Sequence, residues 1–483
     1  MNAPRTPILL TLLTLTAGCA VGPDYQRPEA PQPDAFKEAW QPGVPADDKP
    51  RGPWWQAYGD PALDELEQNA LRSNQTLQAA AAQYRGALAA VTGARAGLFP
   101  TVGVGVGSTR AYAASKVGTG SGSTSLVGNT QTIDHLTGSL SWEIDLWGGL
   151  RRTLEQSKAS AAASAGDLAA AQLSVQAAVA QDYVQLRAID LQLALLKRTT
   201  AAYEKSLTIT RNRYAAGVAP STDVTQAESQ LASAVAEAAD LAAQRAPLEH
   251  ALAALQGRTP EAFALTGGAL LPALPPVPSV LPATLLQRRP DIAAAERRVA
   301  AANAGIGVAR AAWFPTLSLS GTGGWQGPQW NNLISAPAEF WSVGPSLAGT
   351  LFDAGARSAQ NAEARANYDA AVANYRQTVL TALTEAEDAL ATLRELAAEE
   401  VALTSSVTAA RKTLQATENQ YRAGTVSYLN VVIAENTLLA AEVSLIGVQS
   451  RRLLAHVGLL KAMGGAPVAA ATPAPADASP PKG

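Results

Sequence analysis

The sequence predicts a mostly helical chain that also supplies four β-strands to a membrane barrel, built from two copies of one unit. Three observations predict this fold class: long Ala-rich segments almost free of Gly and Pro, stretches that alternate apolar with small polar residues beside Trp, and matching blocks at a fixed spacing. The chain has 483 residues and a net charge of −3. Because phosphate binding needs clustered Lys and Arg, nucleic acid is excluded as an expected partner.

The N-terminus predicts export. Arg5 precedes an apolar run over 8–15, and small residues stand directly before Cys19, so 1–18 is predicted to be a signal peptide. The segment 15–19 (Leu-Thr-Ala-Gly-Cys) resembles a bacterial lipobox, in which the Cys is lipidated and becomes the mature N-terminus. We therefore expect 19–59 to be a lipidated, extended segment. With only one cysteine in the chain, no intramolecular disulfide and no Cys-ligated metal site can form.

An internal duplication organises the rest of the chain. Residues 94–101 match 309–316 at an offset of 215, and 214–217 match 421–424 at an offset of 207. Nearly all of the mature chain is therefore predicted to be two copies of one unit.

Each copy has the same predicted order: helix, β-hairpin, long helix, break, second helix. The predicted ranges are 60–260 for the first copy, with its hairpin at about 99–147, long helix at 148–215 and second helix at 221–257; 261–281 for a Pro-rich linker; 282–463 for the second copy, with its hairpin at about 314–352, long helix at 353–422 and second helix at 427–463; and 464–483 for a disordered tail.

The long helices would each extend about 100 Å at 1.5 Å per residue. A structural coiled-coil protein that spans the cell envelope would also contain such helices, because Ala-rich seams let helices approach closely. That alternative has no need of the alternating β segments.

The β segments predict strands in lipid. Leu140 and Trp142 fall on one face of a strand, and Ser141 falls on the other. Each alternating stretch is long enough for a tilted strand to cross a bilayer, and most of the Trp residues lie in or beside these stretches. We expect polar loops at 114–131 and 324–337, facing outside.

Four strands cannot close a barrel, since the smallest membrane barrels have eight. Open strand edges in lipid leave backbone groups unpaired, so the chain must form oligomers. Two chains would give a barrel filled by side chains, whereas three would give an open lumen. A conduit therefore requires at least a trimer.

The chain resembles the TolC-like outer-membrane efflux proteins, specifically the NodT-type lipoproteins. The resemblance rests on the run Cys19 to Pro28, on the Trp54–Trp55 pair with the following Asp-Pro-Ala-Leu-Asp, and on the twin Phe-Pro-Thr and Tyr-x-x-Gly blocks. It implies a homotrimer with a 12-stranded β-barrel in the outer membrane, continued by a long periplasmic α-helical barrel. It also implies a periplasmic adaptor and an inner-membrane pump of the resistance-nodulation-division class as partners.

The resemblance also implies a periplasmic gate at the two Tyr-x-x-Gly breaks. Tyr214, Gly217 and Gly424 belong to turns where the adaptor docks, and Asp223 and Tyr421 match a hydrogen-bonding pair that keeps the channel closed. The resemblance implies three further gate residues on the last helix. Leu429 matches an apolar constriction, and Asn430 and Ile433 stand at positions where acids occur in the family.

Catalysis has little support in the sequence. His135, His250 and His456 lie in three different elements and lack metal-ligand spacing, so we expect no metal, no cofactor and no enzymatic activity. The leading interpretation is the exit duct of a tripartite efflux pump, and the alternative within transport is the duct of a type I protein secretion system. The sequence does not name the exported compound.

Overall fold

The computed structural model describes residues 21–29, 52–119, 123–268, 270–275 and 289–465. The predicted signal peptide, the predicted lipidation site Cys19, the end of the linker from residue 276 and all but the first two residues of the predicted tail lie outside them. In chain order the helices are α1 (Pro61–Ser73), α2 (Gln75–Ala96), α3 (Gly149–Ala215), α4 (Ser221–Leu255), α5 (Pro290–Ala311), α6 (Ala356–Arg422) and α7 (Tyr428–Ala462). The strands are β1 (Thr101–Thr119), β2 (Ser123–Ile144), β3 (Thr316–Gly327) and β4 (Glu339–Ala348).

The helix bounds reproduce the duplication. Helices α3 and α6 each have 67 residues, and α4 and α7 each have 35, with every bound displaced by the offset of 207 found in the sequence. Helices α2 and α5 each have 22 residues and keep the other offset of 215. The predicted internal duplication is therefore confirmed by the structure itself.

The four strands form one antiparallel sheet in the order β1-β2-β3-β4. The register places Val102 opposite Leu140, Leu140 opposite Gly321, and Gly321 opposite Val343. Since side chains alternate between faces, these residues share one apolar face, while Ser141 and its neighbours share the other. The apolar face is bare in one chain, with Val102 and Trp341 both 75% exposed.

The first hairpin differs from the sequence prediction. Residues 114–131 were expected to form a polar loop, but β1 continues to Thr119 and β2 starts at Ser123, with paired residues throughout. Backbone pairing continues through Gly118 and Gly128, because the ladder is made of main-chain hydrogen bonds that glycine also forms. In the second hairpin β3 ends at Gly327, and two short 3₁₀ turns, Trp330–Asn332 and Ala336–Ala338, precede β4.

The start of the first copy also differs from the prediction. The single helix that was expected from residue 60 is divided at Asn74, between α1 and α2. The Asn74 side chain accepts a hydrogen bond from the Leu77 N–H at 3.1 Å and donates one to the Leu255 carbonyl at 2.8 Å. Asn thus caps the new helix, which is one of its preferred positions.

The chain divides into two compact units. One contains the sheet, with described residues from Met1–Glu29, Tyr84–Ser164 and Ala295–Tyr375. In this unit the Trp142 and Trp147 indoles donate to the carbonyls of Leu98 (3.0 Å) and Pro315 (2.7 Å), which fixes the Phe-Pro-Thr turns beside the strands. The segment 21–29 lies along the helices of the same unit, where Asp24 pairs with Arg152 at 2.9 Å.

The other unit is helical and holds the largest apolar core. It contains described residues from Ala30–Gln83, Ala165–Ala294 and Arg376–Gly483. Trp54, Trp55 and Tyr58 are buried in this core beside residues of α3 and α7. Tyr183 donates to Asp60 at 2.6 Å, and the Tyr58 hydroxyl lies 2.8 Å from His456 Nδ1.

Among the described helices, α7 is the one long and apolar enough by composition to cross a bilayer, with a hydropathy of 1.7. Three of its charged side chains instead pair with α6: Glu442 with Arg411, Arg451 with Glu399 at 2.6 Å, and Arg452 with Glu400. Such pairs are those of a helix packed on another helix, so we assign the membrane-spanning segments to the strands and not to α7.

Candidate functional site: the two helical turns

The two Tyr-x-x-Gly breaks are helix C-caps of one type. The Gly217 N–H donates to the Tyr214 carbonyl at 2.9 Å, and the Val218 N–H donates to the Arg213 carbonyl at 3.0 Å. Gly424 and Thr425 repeat both bonds at the end of α6, each at 3.0 Å. The two glycines have φ of 72° and 75°, the left-handed conformation in which this cap is stable.

The helix that follows the first turn begins at the predicted residue, Ser221. Pro220 is the N-cap of α4. Asp223 therefore lies in the first turn of α4, where a carboxylate interacts favourably with the helix dipole. In the second copy Ser427 is the N-cap of α7.

A small apolar cluster, here called the tip cluster, joins the two turns. It consists of Leu207, Ala227, Tyr421, Tyr428, Val431 and Val432. The rings of Tyr421 and Tyr428 are 5.5 Å apart and tilted by 53°. The Tyr428 hydroxyl lies 3.0 Å from Ser206 Oγ, which ties α7 to α3.

Arg213 fastens the end of α3 to the end of α6. Its guanidinium lies 4.5 Å from the centre of the Tyr421 ring, and its Nη1 donates to the Tyr421 carbonyl at 3.2 Å. Cation–π contacts of this kind contribute about 0.5 to 2 kcal/mol, depending on desolvation. The sequence interpretation missed Arg213 because it lies four residues before Gly217 in the other copy, and only the packing brings it to Tyr421.

The predicted bond between Asp223 and Tyr421 does not form within one chain. Tyr421 is only 8% exposed, and its hydroxyl is buried without a hydrogen-bond partner among the described residues. The Arg213 Nε is also buried without a hydrogen-bond partner among the described residues. Buried polar groups are normally paired, so these two atoms are exceptions within one chain, and the bond expected from the family stays a prediction.

The three remaining gate candidates share the opposite face of α7. Tyr428, Val431 and Val432 are buried in the tip cluster, whereas Leu429 and Ile433 are 54% and 55% exposed and Asn430 is exposed between them. Asn430 and Ile433 line a cleft of about 430 Å³ with Thr413, Thr417 and Gln420 of α6. Tyr214, like its turn, is exposed.

Comparison with known proteins decides what this architecture belongs to. The family model described as "Outer membrane efflux protein" matches residues 66–258 and 281–465. This chain belongs to the outer membrane efflux protein family. A probable efflux pump outer membrane protein of Pseudomonas putida, TtgC, is 33% identical over 456 residues, 93% of both chains. The outer membrane protein OprJ of Pseudomonas aeruginosa is 30% identical over 470 residues, 96% of this chain and 97% of its own.

Solved structures agree with the family assignment. The outer-membrane channel OprN superposes with a TM-score of 0.83 at 32% identity, covering 93% of this chain and 99% of its own. The protein is therefore an outer-membrane component of an efflux system, and its four strands are the membrane part. Among the described residues, no group of three or more His, Cys, Asp or Glu side chains is arranged to hold a metal ion.

Proposed function

We propose that three copies of this chain close one 12-stranded barrel and form the exit duct of a tripartite efflux pump. The observation that carries this proposal is the sheet itself, which has two unpaired edge strands, β1 and β4, and a bare apolar face. Edges in lipid must be paired, and three four-stranded sheets are the smallest set that leaves an open lumen. The duct performs no chemistry of its own.

Membership of the outer membrane efflux protein family supports two partners for the duct. A periplasmic adaptor docks at the helical turns around Tyr214, Gly217 and Gly424, and an inner-membrane pump, of the resistance-nodulation-division class, loads the cargo. The cargo is a drug or another small toxic compound. Cys19 carries the lipid anchor, which alone is a weak hold and is supplemented by the barrel.

The gate of the duct lies at the tip cluster. In the closed trimer, the Tyr421 side chain turns out of the tip cluster, and its hydroxyl, which is buried and unpartnered within the described part of one chain, bonds Asp223 of the next protomer. The exposed Leu429 and Ile433 form an apolar collar. Asn430 contributes a neutral polar ring at the place where some relatives have an acid. The exposed apolar side chains and the orphaned hydroxyl support this arrangement, because both are costly when they stay unpaired.

Cysteine pairs across the barrel seam test the trimer. Cys19 is the only natural cysteine, and β1 and β4 lie at opposite edges of the sheet. A disulfide between a cysteine placed in β1 and one placed in β4 therefore reports a contact between protomers. Covalent products should stop at three chains in a denaturing gel, because a closed ring has no free edge. A ladder that continues beyond three chains, or stops at two, would refute the 12-stranded barrel.

A susceptibility assay separates the proposed cargo from the alternative. Deleting the gene should sensitise cells to small toxic compounds, and complementation should need both adaptor and pump. If deletion abolished the secretion of a protein and left drug susceptibility unchanged, the type I secretion duct would replace this proposal.

A further inference from the structure

The duplication converts an ion pair of the first copy into a pair of acids in the second. In the first copy Arg211 of α3 donates to Glu228 of α4 at 2.7 Å. The offset of 207 that relates the copies places Glu418 of α6 and Glu435 of α7 at the equivalent positions. The same helix geometry therefore brings two carboxyl groups together where the other copy has opposite charges.

The two acids differ in their surroundings. Glu418 accepts a hydrogen bond from Arg422, four residues later on the same helix, at 3.1 Å. Glu435 is only 9% exposed, and its Oε2 is buried with no hydrogen-bond partner among the described residues. Both line a cleft of about 510 Å³ between α3, α6 and α7, which gives the pair a route to solvent.

Other charged or titratable groups face the same cleft. Arg198 and Tyr203 approach from α3, and the Tyr203 hydroxyl accepts from Gln230 of α4 at 2.9 Å. The Arg411 guanidinium of α6 is held by Glu442 of α7. Burial and, to a lesser extent, the negative charge of Glu237 on α4 contribute to raising the pKa of Tyr203. On α7 itself, burial and the charge of Glu435 contribute in the same way to the pKa of Tyr428. None of these side chains forms an ion pair with Glu435 in the described part of the chain.

We propose that Glu418 and Glu435 form a proton-binding pair that holds the tip cluster packed when Glu435 is protonated and loosens it when Glu435 ionises. The link between the proton and the tip cluster rests on the position of Glu435. This residue follows Val431 and Val432 by one helical turn, and both valines belong to the tip cluster. A proton suits the pair better than a metal ion, since the described residues offer no third free ligand.

The direction in which pH changes the stability of the tip cluster follows from the raised pKa of Glu435. Burial, and secondarily the charge of Glu418, raise the pKa of Glu435 from 4.5 to about 7. The folded tip therefore binds a proton that the unfolded chain has already released. The stabilisation is fully present below pH 4.5 and is lost as the pH rises through about 7.

Hydrogen exchange of purified trimers tests the proton site directly. Protection of the peptides around Val431 and Tyr421, corrected for intrinsic exchange, should fall about threefold to tenfold between pH 5.5 and 7.5. Glu435→Gln should remove this step and keep protection high, and Glu418→Arg, which rebuilds the pair of the first copy, should also remove it. The matched control, Glu228→Gln, should keep the step.

An unchanged step in Glu435→Gln, with the trimer intact, would overturn the proposal, and so would a step that Glu228→Gln abolishes. A step in the wild type whose midpoint moves by more than one pH unit when Mg²⁺ is added would assign the pair to a cation and overturn it as well. The link to transport rests on the proposed function. If exchange shows the step but conductance in planar bilayers does not change with pH, the gate assignment fails and the proton site stands.

Discussion

His456 is a buried residue whose protonation is expected to make the core of the helical unit less stable in acid. Its ring meets Tyr58 edge-on at 5.6 Å in the core of the helical unit, and burial lowers the pKa of His456 from 6.5 to about 4. The folded core therefore excludes a proton that the unfolded chain binds below pH 6.5. Stability is present above that value and is lost as the pH falls toward 4, opposite in sign to Glu435.

We expect protection of the peptides around Tyr58 and His456 to weaken from pH 7 to pH 4.5, by up to about 3 kcal/mol. His456→Gln keeps a hydrogen-bonding side chain but cannot gain the proton, so its protection should be flat over the same range. Hydrogen exchange by mass spectrometry makes the measurement. A variant that loses protection at acid pH as steeply as the wild type would show that another group titrates there.

The two turn glycines are expected to resist substitution by any residue with a side chain. At φ of 72° and 75°, Gly217→Ala and Gly424→Ala should each cost about 1 to 2 kcal/mol, because an L-residue is strained there. The control is Gly447→Ala inside α7, where a Cβ meets open space and the equivalent position in the first copy is Asp240. That variant should gain up to about 1 kcal/mol. Thermal unfolding ranks the three, and equal effects would contradict the cap assignment.

At the scale of elements, the ends of helices and strands could be predicted only where a helix- or strand-breaking residue marks them. The long helices and their breaks were predictable because Gly217 and Gly424 stand where an apolar helical pattern ends. The length of β1 and β2 was not, because Thr and Ser continue the pairing beyond the apolar alternation. The division at Asn74 depends on the Leu255 carbonyl, which is 181 residues away.

The candidate site also has a part that local sequence motifs predict and a part that only distant contacts determine. Positions on the turns could be read from the twin motifs, whereas Arg213 over Tyr421 and the acid pair at Glu435 depend on packing between helices that are distant in sequence. The equivalence of Arg211 and Glu418 was available in the sequence once the offset of 207 was known. A comparison of charges between the copies would have found it.

The strand faces give a prediction at this scale. Leu140→Arg places a charge on the face shared with Val102 and Gly321, and a charge facing the bilayer midplane costs about 2 to 4 kcal/mol. Ser141→Arg points to the other face, which in a barrel is wet. We expect the first variant to assemble poorly, and the second to form trimers with altered single-channel conductance. Equal assembly of both would mean that the faces are assigned the wrong way round.

At the scale of the whole molecule, attachment to the membrane should have two independent sources. Cys19→Ser should abolish acyl labelling, yet closed strand pairing should keep part of the protein in the membrane. Membrane fractionation with metabolic lipid labelling checks both halves. A variant that became fully soluble and monomeric would contradict the barrel, because the barrel alone should retain it.

The resting gate is the last expectation for the assembled molecule. A hydrogen bond contributes about 0.5 to 1.5 kcal/mol net, or up to about 3 kcal/mol when one partner is charged, and threefold symmetry supplies three copies. A few kcal/mol keep the open state at or below about the percent level and still allow adaptor binding to reverse the balance. Asp223→Ala with Tyr421→Phe should therefore raise the conductance of trimers in planar bilayers and admit large antibiotics to intact cells.

The control for this gate is Tyr214→Phe, which changes the equivalent tyrosine of the first copy, whose side chain is 52% exposed. It should leave conductance unchanged, because an exposed hydroxyl exchanges its partner for water at little cost. Ile433 and Asn430 carry no charge, so we expect divalent cations on the periplasmic side to block the pore weakly. Unchanged conductance in the double variant, with trimers intact, would refute the bond between Asp223 and Tyr421. Strong cation block would show that carboxylates elsewhere in the chain form the constriction, and Glu418 and Glu435 would be the first pair to neutralise.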